Sequence, residues 1–374
     1  MPFLHGKAIT RRELMRRVGR LEQVAGVRLV ELGDGSERGV RALEFRTGTG
    51  FSFDVLVDRA MDVGRCELNG RSLTWLSATG VVGPWYAEPL GLGWFRMWGG
   101  GMVVTCGLDH TLLGGTDDAS NFHQLVKPTE EYGLHGRIGF TPARLTAYGE
   151  RWEGDDCVLY AEGVVRQAAV YGETMELKRR IEARAGESRF TIHDEVTNVG
   201  FDPTSHMYLY HVNAGWPVVD GGSEYLVPAP EGVPVADYPT KDYRTITAPG
   251  AGFPEECYEH ETIAEPDGRV PVAVVNRSAG LGVYQLYRKD QLRFHTMWRM
   301  LGEGTYGVAM EPSTNRDAGR FDAGERGELE FLQPGESRRY ELEVGALEGV
   351  EAIDSFAARV EKLKRATTGA HTHA

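Results

Sequence analysis

Over most of the chain, apolar and polar residues alternate one for one. In 51–58, Phe51, Phe53, Val55 and Val57 fall on one side, and Ser52, Asp54 and Asp58 on the other. That period belongs to a strand with one face buried. Tyr340, Leu342 and Val344 alternate in the same way with Arg339, Glu341 and Glu343. Similar short runs recur at 41–47, 188–198, 206–213, 270–275, 282–287, 292–298 and 305–311, with Gly, Pro, Asn or Asp clusters between them. Many short strands separated by turn residues predict an all-β sandwich or barrel. The 48 glycines are spread along the chain without a period, as many tight turns require.

Helical signals are confined to the ends. Thr10 followed by Glu13 is a capping box and predicts a short helix over about 10–19. Val350, Ile353, Phe356, Ala357, Val360 and Leu363 form one stripe at helical spacing, which predicts a helix over about 350–365. The tail 366–374 is expected to be disordered. No internal repeat and no Ser/Pro linker divides the chain, so residues 1–374 are expected to form one domain.

Charge and composition narrow the partners. The formal net charge is −13 and no basic stripe stands out, so nucleic acid is not an expected partner. No run reaches the ~18 apolar residues of a membrane span, and the basic N-terminus is not followed by the apolar core of a signal peptide. Cys66, Cys106, Cys157 and Cys257 are widely spaced and form no CxxC pair, which suits free thiols in a reducing compartment. The cytoplasm is the expected location. There is no phosphate-binding loop, no dinucleotide fingerprint and no HExxH, so neither a cofactor nor a metal is expected.

Three segments could carry chemistry. In GTYGVAMEPSTNRD (304–317), strand parity puts Gly307, Ala309 and Glu311 on one face and Tyr306, Val308 and Met310 on the other. A carboxylate beside small residues has room for a ligand, and Pro312 is expected to end the strand next to it, leaving Glu311 on a shallow surface. In PTSHMYLYHVNAGWP (203–217), Met207, Leu209, His211 and Asn213 share a face, with Tyr208, Tyr210 and Val212 opposite. His206 falls on the face away from His211, and an imidazole at either place can exchange protons near neutrality. In YGLHGRIGFTPAR (132–144), glycines flank Leu134 and His135, so a turn can present the imidazole, with Arg137 two residues on. Residues 80–118 add Trp85, Trp94 and Trp98 among many glycines; these rings either face a sugar or plug one end of the sandwich. Arg59, Asp62, Arg137, Arg244, Arg299 and Arg316 complete the polar set, and two or more arginines converging on Glu311 would indicate an acidic sugar.

The succession LHG (134–136), YHVN (210–213) and MEP (310–312) resembles the aldose 1-epimerase (galactose mutarotase) superfamily. VDRAMDVG, GGMVVTCGL, GLHGRIGFTPAR, LYHVNAGWP and MEPSTN look more closely like a mutarotase-like group of unassigned function, over about residues 40–345. The resemblance implies a β-supersandwich with a few peripheral helices, binding a small sugar without a cofactor. It implies Glu311 as base on the anomeric hydroxyl, His211 as acid toward the ring oxygen and His135 as a sugar-polarising group. Asp242, in a segment (YPTKDYR) similar to a family loop, would hold hydroxyls. Arg59, Arg137, His206, Asn213, Arg316 and Trp216 are further candidates for sugar contact. The family's arginine ahead of its His-Gly-Gly segment has no counterpart here, and Arg137 replaces one glycine of that segment. The expected activity is interconversion of aldose anomers. The alternatives are isomerisation beyond C1 of a sugar that carries an acidic group, or sugar binding without turnover; a homodimer is allowed.

Overall fold

The computed structural model describes residues 1–120, 127–240 and 242–370. The alternating runs become strands of two large antiparallel sheets. The eight-stranded sheet runs, in spatial order, through Arg144–Glu153, Asp156–Ala168, Thr174–Arg184, Arg189–Asn198, Ser337–Glu348, Leu281–Arg288, Arg269–Asn276 and Glu224–Leu226. The other sheet runs through Gly232–Pro234, Glu256–His260, Phe294–Gly302, Thr305–Ser313, Leu209–Ala214, Val103–Cys106, Asp62–Leu68, Phe51–Leu56, Arg41–Arg46 and Gly26–Glu31. Residues Arg71–Ser72 pair at its side as an eleventh strand. This is the β-sandwich expected from period-two patterning.

One apolar core lies between the sheets and takes alternate residues from both. Phe51, Phe53 and Val55 meet Phe190, Ile192 and Leu342 there, and the Phe53 ring packs tilted against Phe190 with centroids 4.7 Å apart. Tyr210, Val212, Val308 and Met310 point into the same core. Their neighbours Leu209 and Ala309 point the opposite way, into a second cluster with Val104, Cys106 and Trp298. The longer sheet is thus buried on both faces around these strands, and its outer face carries the candidate site.

Within the main core lies one ionic centre. The Arg179 side chain has no solvent exposure and donates from Nε and Nη2 to the two oxygens of Asp194, at 2.9 and 2.7 Å. Its Nη1 donates to Asp62 Oδ1 (3.2 Å) and to the Ala60 carbonyl (3.1 Å), both belonging to the opposite sheet or its edge. The hydroxyls of Tyr208 and Tyr210 donate to Asp194 Oδ2.

The helical ends differ in extent from expectation. The capping box forms, with Glu13 N donating to Thr10 Oγ1 and Thr10 N to Glu13 Oε2, but the helix is only Arg11–Met15. Leu14 is its sole buried residue, too little apolar surface to extend a nucleated turn. The C-terminal helix runs Val350–Ala370, so 366–370 is helical where disorder was expected, and 371–374 lies outside the described residues. Its Ile353, Phe356 and Val360 cover Ala273, Val275, Leu286 and Leu347 on the outer face of the eight-stranded sheet, while Val350 stays exposed. Pro312 does not end its strand either. It pairs with His295 and the strand continues to Ser313, because a proline removes one donor from a ladder without breaking it. No helix among the described residues is long and apolar enough to cross a membrane.

Replacing Arg179 with leucine would leave Asp194 and Asp62 buried without their counter-charge. Unfolding in urea is expected to show a loss of about 3–5 kcal/mol. A loss under 1 kcal/mol would mean that the carboxylates find other partners.

Candidate active site

Two neighbouring strands bring the central pair together. The register Leu209↔Ser313 and Val212↔Met310 sets His211 across from Glu311. His211 Nε2 lies 3.2 Å from Glu311 Oε1, and both side chains are 3% exposed. The contact lacks hydrogen-bond alignment, which leaves Glu311 Oε1 without a hydrogen-bond partner, and the other ring nitrogen of His211, Nδ1, has none either. Buried polar atoms are rarely left so without a functional reason.

His135 joins them from a tight turn. It adopts a left-handed backbone (φ 57°), as does Leu112 (φ 65°), and the two residues clasp each other. His135 N donates to the Leu112 carbonyl at 2.9 Å, and Leu112 N donates to His135 Nδ1 at 3.3 Å. A neutral imidazole that accepts at Nδ1 carries its proton on Nε2. Gly136 is required beside it: its φ is +73°, and a Cβ there would sit 2.5 Å from the Gly107 and His110 carbonyls. Arg137 steadies the turn from outside, paired with Asp109 (3.2 Å) and with Glu173.

The three groups line a cavity of about 210 Å³. Trp94, Trp98 and Trp298 wall it together with Tyr238, Leu112 and Leu134, and Glu255 and Asp317 add two more carboxyl groups. Trp98 lies 4.9 Å from the His211 ring, Trp298 5.5 Å, and Trp94 4.6 Å from His135. Gly307 admits Trp75 behind this box, since a Cβ there would lie 2.8 Å from the indole. Burial governs the charges. It lowers the His211 imidazole to about 3 and pushes His135 well below its ordinary value. It raises Glu311 well above the usual carboxylate range, helped by Asp317 and Glu255. Asp317 rises to about 7, again chiefly through burial. The resting pair is therefore a neutral carboxylic acid beside a neutral imidazole.

Of the ten sequence candidates, only Glu311, His211 and His135 line this cavity. The others have other settings. Arg59 is buried on the Gly139, Val82 and Met97 carbonyls, and Asn213 donates to the Gly101 and His211 carbonyls. His206 is bonded to the Leu108 carbonyl and the Tyr340 hydroxyl inside the core. Arg316 lies beside Glu259 and Glu328, while Trp216 and Asp242 are exposed. Arg299 is held by Glu256, and Arg244 by Tyr243 and nearby carbonyls. No arginine lines the cavity, so the condition set for an acidic sugar is not met. Glu311 also does not face a shallow surface, because the segment around Trp94, Trp98 and His135 roofs it.

Sequence reasoning did not single out Trp298, Tyr238, Glu255, Cys257 or Asp317. A signal existed for Trp298. The turn at Glu303–Gly304 fixes the hairpin register, placing Thr296 across from Glu311 and Trp298 across from Ala309. Among the described residues, no group of three or more His, Cys, Asp or Glu side chains is arranged to hold a metal ion.

The DUF4432 model, described as a domain of unknown function, matches residues 37–346. No curated protein matches by sequence. Among solved structures, a “putative aldose 1-epimerase” from Klebsiella pneumoniae superposes with a TM-score of 0.82 at 23% identity, covering 92% of this chain and 90% of the other. A galactose mutarotase-like protein from Clostridium acetobutylicum gives 0.58 at 13% identity, covering 86% and 99%. A galactose 1-epimerase from Lactobacillus acidophilus gives 0.53 at 12%, covering 86% and 99%. These are likenesses of fold.

Asp317 predicts a pH dependence of stability. Its folded value of about 7 lies above the ordinary 3.8, so between those values the folded state holds a proton that the unfolded chain has released. Stability attributable to this group falls as pH rises from about 4 to about 7 and stays reduced above that. Asp317→Asn should therefore gain on the wild type as pH is raised, read as the difference in melting temperature at pH 4.5 and 8. A constant difference would mean an unperturbed carboxylate.

Proposed function

This chain belongs to the DUF4432 family, and on that premise we propose that it interconverts the anomers of a sugar by general acid–base ring opening. The observation that carries this reading is the convergence of Glu311 Oε1 and His211 Nε2, 3.2 Å apart with Glu311 Oε1 left unpartnered, in an aromatic cavity shared with His135. Opening a hemiacetal requires a base for the O1 proton and an acid for the ring oxygen. Once bound sugar draws the two side chains into hydrogen-bond alignment, proton transfer from Glu311 to His211 converts the resting neutral pair into carboxylate and imidazolium. The carboxylate takes the O1 proton as C1=O forms and the C1–O5 bond breaks, and His211 delivers its proton to O5. Rotation about C1–C2 and the reverse transfers close the ring as the other anomer. The Nε2–H of His135 is free to donate to a sugar oxygen and polarise it.

The walls suit the ligand. Indole faces pack against the C–H faces of a pyranose. A cavity of about 210 Å³ is below the ~300 Å³ at which pockets for drug-sized ligands begin, which suits a single sugar ring. The names of the structural neighbours and the sequence resemblance to the mutarotase superfamily point the same way.

Glu311→Gln keeps the shape of the side chain but removes the base. Anomer exchange followed by NMR should fall by roughly 10²–10⁴, about 3–5 kcal/mol of barrier, while calorimetric sugar binding changes far less. His211→Asn should act similarly, and the double variant should lose less than the sum, because the two residues work as a unit. Unchanged exchange in Glu311→Gln would remove Glu311 from the chemistry. Tight binding by the wild type with exchange at the uncatalysed rate would instead make the protein a sugar-binding module.

The pair also sets the pH profile. One shared proton is the working state; a second proton adds only near the lowered His211 value of about 3, and the shared one is lost only above the raised Glu311 value. In the Asp317→Asn variant, which removes the neighbouring carboxyl that titrates near 7, the exchange rate should stay level upward from about pH 5 until Glu311 itself ionises. A midpoint near 6.5 would mean an ordinary, solvated histidine.

A further inference from the structure

Resting on the reading just given, we infer that the site takes a sugar bearing an ammonium group, an amino sugar, in preference to neutral or anionic sugars. The cavity wall holds, among the described residues, the carboxyl groups of Glu255, Asp317 and Glu311 and no lysine or arginine. Among the described residues, neither Glu255 nor Asp317 has a basic side chain within ion-pair distance, and Glu311 has only His211, whose imidazole stays neutral. Glu255 accepts from Trp298 Nε1, and the Asp317 backbone N–H donates to Glu259, which has Arg316 3.9 Å away. Arg316 is thus directed at Glu259 and is not part of the cavity wall.

One of these carboxyls also lacks a partner of its own, which points to a ligand that donates. Glu311 Oε1 is buried, lines the cavity and has no hydrogen-bond partner, so it presents a bare acceptor. The remaining walls include the indole rings of Trp94, Trp98 and Trp298 and the phenol of Tyr238, and such faces attract cations by about 0.5–2 kcal/mol once water is excluded. Acceptors and π-faces together favour an ammonium group with several N–H donors. For a carboxylate, sulfonate or phosphate the described wall supplies no matching fork of donors, and Asp317 adds a negative charge against such groups once it ionises above about pH 7.

The test uses the full chain and a sugar panel. D-glucose and D-galactose are compared with the 2-, 3- and 6-amino-deoxy derivatives of glucose, with N-acetylglucosamine, and with glucuronate and glucose 6-phosphate. Dissociation constants come from calorimetry at pH 7.5, above the Asp317 value of about 7 and where the amines stay substantially protonated, and exchange rates from NMR of the anomeric signals. At least one amino sugar should bind tenfold or more tightly than glucose, with its N-acetyl form losing that gain and the anionic sugars weakest. The double variant Glu255→Gln/Asp317→Asn should bring the amino sugar and its parent to the same affinity. Neutral sugars that exchange as fast as the amino sugars and bind as well overturn this inference and leave the mutarotase reading standing. Preference for an anionic sugar overturns it as well. Absence of binding and exchange across the whole panel overturns both.

Discussion

A guanidinium sealed between two β-sheets determines how the rest of this molecule is arranged. Arg179 could not stay buried without near-complete pairing, since an isolated ion in the interior costs several kcal/mol. Its donors are taken up by Asp194 on the neighbouring strand and by Asp62 and Ala60 across the core. Asp194 in turn accepts from Tyr208 and Tyr210, which lie on the chain that carries His211. A strand offers alternate residues to opposite faces, and a one-residue slip inverts them all. Once the two tyrosines reach Asp194, His211 must project to the other side. Antiparallel pairing with Thr305–Ser313 then sets Glu311 beside it.

Much of this was legible in the sequence because it rests on parity. The alternation of Tyr208, Tyr210 and Val212 with Leu209, His211 and Asn213 is local, and so is that of Val308 and Met310 with Ala309 and Glu311. Both reappear unchanged as the inner and outer faces of the sheet. What local pattern does not contain is the third dimension of loops. Nothing in GLHGR shows that Leu112, over twenty residues earlier, clasps His135, or that the Trp94 segment folds down as a roof. Arginine was misleading for a related reason. Its type suggests anion recognition, yet Arg59, Arg137 and Arg299 are held by carbonyls and carboxylates that long-range folding brings to them.

The roof also explains the charge state of the site. Tryptophan and leucine displace water from above His211 and Glu311 and drive both to their neutral forms. The cost is borne partly by backbone geometry. Leu112 and His135 each occupy the left-handed region, worth on the order of 1–3 kcal/mol apiece, and persist there because each supplies the other's hydrogen bond.

The two-faced sheet has a consequence for how such a protein can change over evolutionary time. Residues 208, 210, 212, 308 and 310 answer to the interior, whereas 211, 298 and 311 answer to whatever occupies the cavity. The two sets interleave along the same strands yet share no side-chain environment. A lineage can therefore rewrite the outer set for a new ligand while the inner set, and the folding stability it carries, is inherited intact. Laboratory libraries confined to the outer positions would exploit the same separation, sampling new chemistries on a scaffold that does not have to be re-solved each time.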